Sequence, residues 1–189
     1  MSSSPLHVLG LSGSLRAKSI NTQLLRNLPE LMPAGMRLTI GSYADIPLYN
    51  QDTQDQGMPA SVTRLANEIL KADALVISSP EYNASISGVL KNAIDWLSRP
   101  AVKTFKDKPI ALMSVSPGTT GGARSQNELR KVLTVLEGLV LPRPEIFVGS
   151  TATKFDANGK LTDEATRTAI SDQLKALQVW TERVRIRPA

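Results

Sequence analysis

The chain contains no cysteine. That removes disulfide staples, thiolate nucleophiles and sulfur-ligated metal sites, and it fits a reducing compartment such as the cytoplasm. Histidine occurs once, as His7, inside an apolar run where it is expected only to pack. No metal site is expected. No apolar run approaches the roughly 18 residues of a membrane span, so no membrane association is expected. The opening MSSSPLHVLGLSGSL has neither a basic n-region nor a long apolar h-region, so no signal peptide is expected either. Internal repeats, low-complexity segments and linkers are also missing. The clusters Lys103-Lys106-Lys108 and Arg183-Arg185-Arg187 are not interleaved with aromatics. The net charge of +5 therefore reads as solvated surface plus a basic tail, and nucleic acid is not an expected partner.

What remains is an ordinary globular composition. The 189 residues are 41% hydrophobic and 21% charged, which suits one domain over 1–189 with a full core. Five β-rich runs appear, at 7–12, 37–42, 74–79, 110–115 and 145–148. Several are apolar at successive positions, as strands covered on both faces are. Apolar residues at helical spacing lie between them, such as Leu24, Leu25, Leu28 and Leu31, or Val89, Leu90, Ala93, Ile94 and Leu97. A last set, Ala169 to Trp180, follows the fifth run. The alternation predicts a three-layer α/β sandwich around a parallel sheet. The longest irregular stretch, Tyr43 to Gly57, is expected to be a surface loop.

In such a sheet, ligands bind beyond the carboxyl ends of the strands. Three loops fall there. The first, GLSGSLRAKSIN over 10–21, misses the second glycine of a Walker loop and the third glycine of a dinucleotide fingerprint. Ser12, Ser14, Ser19, Asn21 and Thr22 supply short donors, and the following helix start supplies amides and a favourable dipole. Two readings stay open: a cradle for a compact phosphate monoester, clamped or covered by Arg16, or a helix cap made by Ser19 or Asn21. The second loop, SSPEYNASISG over 78–88, offers a flat face at Tyr82 and donors at Asn83. It would suit a flat heteroaromatic with a polar edge, or serve only as a helix lead-in. Glu81 has no His or second carboxylate beside it, so acid–base catalysis by it is not expected. The third loop, 114–124, has Gly118, Gly121 and Gly122, which permit close backbone approach to a ligand or simply form a connector.

The three loops together resemble those of the NADPH-dependent FMN reductases. Gly13-Ser14-Leu15-Arg16 with Ser19 and Asn21 resembles the GSLRxxSxN flavin-phosphate loop. Pro80-Glu81-Tyr82-Asn83, followed by Leu90-Lys91-Asn92-Ala93-Ile94-Asp95-Trp96, resembles the PEYN…LKNAIDW block. Gly121-Gly122-Ala123-Arg124 resembles the glycine-rich loop. The likeness spans about residues 6 to 150 and is nearest to the bacterial soluble quinone and chromate reductases. It implies a flavodoxin-like fold with a five-stranded parallel sheet in the order 2-1-3-4-5, and FMN bound non-covalently. By resemblance, Ser14, Leu15, Arg16, Ser19 and Asn21 hold the ribityl phosphate. Pro80, Glu81, Tyr82 and Asn83 line the ring, with Ser116, Gly118, Gly121 and Gly122 also beside the flavin. Many members have Pro where this chain has Ser87, which is expected to leave the second loop less rigid.

The activity implied is a ping-pong cycle in which NADPH or NADH gives hydride to flavin N5 and a quinone, or chromate, then takes two electrons. The flavin carries the chemistry and no catalytic side chain is required. Arg16 is left to the flavin phosphate or to the phosphate of incoming NADPH. Family members are commonly homodimers or homotetramers. An FMN electron carrier without nicotinamide turnover is the alternative, though such carriers are strongly acidic. A phosphatase is disfavoured by the missing cysteine and the absence of a DxD pair.

Overall fold

A computed structural model describes residues 4–184, so Arg185 and Arg187 of the basic cluster lie outside the described residues. The sheet contains β1 (Leu6–Ser12), β2 (Met36–Gly41), β3 (Ala74–Ser79), β4 (Pro109–Val115), β5 (Leu139–Val140) and β6 (Ile146–Val148). Every pairing is parallel, in the order β2-β1-β3-β4-β5, with β6 also on β4. The expected order 2-1-3-4-5 is therefore the observed one. The fifth position is shared. β5 pairs with Pro109 and Ile110 at the start of β4, and β6 with Met113 to Val115 at its end. The sequence led us to expect one strand here, over 145–148. Two prolines in Leu141-Pro142-Arg143-Pro144 lack the N–H a ladder needs, and the edge strand breaks around them.

Side chains on the central strands alternate between two cores. Leu9, Leu11, Leu75, Ile77, Ile110 and Leu112 point to one face. There they meet α3 (Ala60–Lys71), α4 (Gly88–Leu97) and α5 (Ala123–Val135). Val8, Val76, Ala111 and Met113 point to the other face, against α1 (Ile20–Asn27) and α6 (Glu164–Val184). Period-two alternation on strands and helical spacing on both layers thus bury one continuous apolar surface on each side.

Two expectations about local surroundings need correction. His7 is only half-buried, because β1 pairs with the edge strand β2. Its Nε2 lies 2.7 Å from the Thr39 hydroxyl. The stretch from Tyr43 to Gly57 is not simply surface loop. Tyr43 is buried, and the stretch holds a short helix, α2 (Gln51–Asp55), capped where Asn50 accepts from the Asp52 amide at 2.8 Å. The stretch is fastened to α4. Asn92 accepts from the Tyr49 amide at 2.8 Å, and the Trp96 indole donates to the Pro47 carbonyl at 2.9 Å.

Candidate functional site

The loops leaving β1, β3 and β4 meet at the carboxyl end of the sheet. Gly13 makes the first junction. Its amide donates to the Ser78 carbonyl at 2.7 Å, and a Cβ there would stand 2.7 Å from Pro80 Cδ. Only a glycine lets the β1 exit lie this close to the β3 exit. Beyond it the hydroxyls organise the turn. The Ser12 hydroxyl accepts from Thr22 Oγ1 at 2.8 Å and from the Ser14 amide at 3.3 Å, and Ser14 Oγ accepts from the Arg16 amide at 3.3 Å. Ser19 caps α1, accepting from the Thr22 amide at 3.3 Å. The cap and the cradle are compatible. The amides of Leu15, Ala17, Lys18, Ile20 and Asn21 find no acceptor among the described residues, so the turn keeps a fan of donors beside a helix N-terminus.

Asn21 works differently from its neighbours. It is buried, and its Oδ1 accepts from the Ser78 hydroxyl at 2.9 Å and the Val115 amide at 3.2 Å. Its Nδ2 donates to the Val115 carbonyl at 3.1 Å. Its amide behaves like an extra strand residue where β3 and β4 part, and so ties α1 to both. Tyr43, buried despite its place in the irregular stretch after β2, supports the same region: its hydroxyl donates to the Ser12 carbonyl. No local signal marks that role, because the partner lies 31 residues away in sequence.

The second loop is rigid. Tyr82 and Ser85 exchange two backbone hydrogen bonds of 3.0 Å around Asn83 and Ala84, both at positive φ. This is a two-residue hairpin of the I′ kind, and it leaves the Tyr82 ring half exposed at its base. Ser87 does not loosen the loop, contrary to expectation. Its hydroxyl donates to the Gly13 carbonyl at 2.5 Å and accepts from the Leu90 amide at 3.2 Å, capping α4 while binding the second loop to the first.

Glu81 joins the second loop to the third. Its carboxylate side chain is almost fully covered and accepts from the Arg124 Nε at 2.6 Å, the Arg124 amide at 3.1 Å and the Ser125 amide at 3.4 Å. Burial pushes the Glu81 carboxyl up. Hydrogen bonds from the Arg124 side chain and the Ser125 amide outweigh it, aided by the Arg124 charge and amide, and hold the group below the usual carboxylate range. It is ionised at neutral pH, at the N-terminus of α5, where a negative charge is favoured. It is thus fixed as an anion and does not exchange protons at that pH.

In the third loop, the glycines approach the protein's own backbone. A Cβ on Gly121 would lie 2.6 Å from the Phe147 carbonyl carbon, and one on Gly122 2.8 Å from Ser114 Cβ. Both have positive φ, at 59° and 85°. Their close packing is against β6 and β4. Gly118, by contrast, has open space around it.

Ser14, Arg16, Ser19, Asn21, Pro80, Glu81, Tyr82 and Ser116 come together around one open cleft with about 510 Å³ of free space, including its mouth. Ile20, Val115 and Pro117 complete it. Leu15, Asn83, Gly118, Gly121 and Gly122 do not line it. One end of the cleft is the donor turn, and the other is the proline–tyrosine platform.

The profile of the NADPH-dependent FMN reductases matches residues 6–153. The chain is a member of the NADPH-dependent FMN reductase family. An NAD(P)H-dependent FMN reductase of Pseudomonas aeruginosa is 45% identical over 183 residues, covering 97% of this chain and 99% of that protein. A quinone reductase of Escherichia coli K12 is 43% identical over 187 residues, with 97% and 100% covered. Among solved structures, the flavoenzyme NAD(P)H:(acceptor) oxidoreductase FerB of Paracoccus denitrificans superposes with a TM-score of 0.85 at 34% identity, covering 94% of this chain and 98% of that one. For a member of this FMN reductase family, the donor set fits the expected cofactor. The cleft has unpaired Ile20 and Asn21 amides at the start of α1 on one side, Pro80 and Tyr82 on the other, and one carboxylate, Glu81, neutralised by Arg124.

Proposed function

We propose that this chain is an FMN-dependent NAD(P)H oxidoreductase of the cytoplasm that reduces quinones in two half-reactions at one site. One observation carries the reading: the cleft runs from the start of α1, where the Ile20 and Asn21 amides are unpaired, to the half-exposed Tyr82 ring. The amides and hydroxyls of residues 14–21 would hold the phosphate monoester. Pro80 and Tyr82 would border the ring. When bound, FMN supplies hydride acceptance from a reduced nicotinamide and two-electron donation to an oxidant. The protein contributes position: Asn21, Glu81 and Ser87 brace the three loops and make no demand for a protein acid or base. Arg16 is the uncompensated charge of the cleft, which suits an anionic oxidant such as chromate as a second acceptor. Self-association as a homodimer or homotetramer belongs to the same proposal, and the exposed Val102 and Val135 beside α4 and α5 offer apolar surface for it.

The test is spectroscopic and kinetic. Purified protein reconstituted with FMN should show flavin absorbance that bleaches on adding NADPH and returns on adding a quinone. Flavin that stays oxidised under NADPH would leave an electron carrier in place of the reductase.

A further inference from the structure

We propose that a second cleft, between α1 and the end of β2, receives the 2′-phosphate of NADPH, with Arg26 as the residue that separates NADPH from NADH. The proposal rests on the reductase reading above. This cleft holds about 720 Å³ of free space with its mouth. Its walls include Arg16, Arg26, Thr22, Ser42, Leu15 and Ile40, over a floor made by buried Tyr43.

Three observations carry it. First, the only charged groups lining the cleft are two arginines, and no acid lines it. Arg64, Arg124, Arg130, Arg143 and Arg167 are ion-paired, whereas Arg16 and Arg26, like Arg37 and Arg183, show neither an ion pair nor a side-chain hydrogen bond among the described residues, and only Arg16 and Arg26 share a cleft lining. Two guanidinium groups left without anions across one cleft define a site for a dianion, which a fork of N–H donors recognises well. Second, the cleft shares Ser14 and Arg16 with the flavin cleft, so the phosphate turn is a common wall. A nicotinamide laid at the Tyr82 end carries a longer tail than ribityl phosphate does. That tail passes beyond the turn, into the second cleft. Third, Leu15 and Ile40 stand 47% and 42% exposed on the cleft walls, apolar surface suited to an adenine face, and Ser42 adds a hydroxyl. NADH lacks the 2′-phosphate and would leave the two cations unmatched.

Calorimetric titration tests this directly, using adenosine 2′,5′-bisphosphate and AMP as probes on FMN-loaded protein, with flavin content measured in each sample. The wild type should bind the bisphosphate more tightly than AMP. Arg26→Ala should weaken the bisphosphate by about tenfold and leave AMP unchanged, with Arg26→Lys between the two. The KM for NADPH should rise with it, while the KM for NADH, kcat and flavin content stay as in the wild type. Equal binding of the two probes to the wild type overturns the proposal, as does an equal loss of both in Arg26→Ala. Loss of FMN from Arg26→Ala also overturns it, by assigning the cleft to the flavin's own phosphate. If the bisphosphate discriminates but NADPH is not oxidised, the reductase reading fails and the site stands. If NADPH is oxidised without discrimination, the reverse holds.

Discussion

Asn21 has one side-chain amide and three buried protein contacts, so its replacement should be felt first in folding. Asn21→Leu leaves the Val115 amide and carbonyl and the Ser78 hydroxyl unsatisfied in the interior. A cost of about 3 kcal/mol is expected, since each buried orphan costs roughly 1–3 kcal/mol. Urea unfolding of the FMN-free protein measures this without interference from the cofactor. Ala84 is the opposite case. It holds φ at 61°, a conformation that crowds any Cβ. Ala84→Gly should therefore stabilise the same FMN-free protein by about 1 kcal/mol, because glycine adopts the turn without strain. A fall in the urea midpoint would show that Ala84 makes compensating contacts. Neither effect is visible in the sequence by itself. SIN after a glycine turn announces polar residues near a helix start, but which of them faces inward depends on strands that arrive 57 and 94 positions later.

At the scale of elements, the Glu81 link decides how firmly the second and third loops stand together. Its folded pKa is lowered, so its contribution to stability is present above the unfolded glutamate value of about 4.3 and is lost as pH falls through the folded value. Glu81→Gln should thus lower the urea midpoint at pH 7, and the gap to wild type should shrink steadily below pH of about 4.3. A gap that is constant across that range would mean the shape of the side chain, and not its charge, holds the loops. The same variant, reconstituted with FMN, should retain substantial quinone turnover, because an ion held by Arg124 moves no proton. Elements were the most legible level of this sequence. Apolar runs and helical spacing gave five of the six strands and the main helices, missing only the two-residue strand Leu139–Val140. The failures share a cause. The split of the fifth strand, the burial of Tyr43 and the bracing by Ser87 all depend on partners far along the chain, which periodicity within a short window does not register.

On the scale of the whole molecule, the sheet order sets the site. β1, β3 and β4 are adjacent, so their exit loops converge, and the segments around Ser14, Pro80 and Val115, far apart in the chain, become one cleft. The sequence announced those motifs but not which residues face the cleft. The glycine pair 121–122 reads as ligand-facing in a linear chain, yet in the fold it accommodates Phe147 and Ser114. The proposed division of labour, with the amide turn for phosphate and the tyrosine platform for the ring, makes a quantitative demand. A ligand that binds only the folded state raises stability by roughly 2.7 kcal/mol at 100 times its Kd. FMN should therefore raise the thermal midpoint of the FMN-free protein well above the effect of riboflavin at equal concentration, because riboflavin lacks the group that meets the fan of amides. Lumiflavin, which keeps the ring and loses the whole ribityl chain, should do no better than riboflavin. If riboflavin matches FMN, the turn at residues 14–21 is not the flavin's anchor, and its unpaired amides must serve another anion.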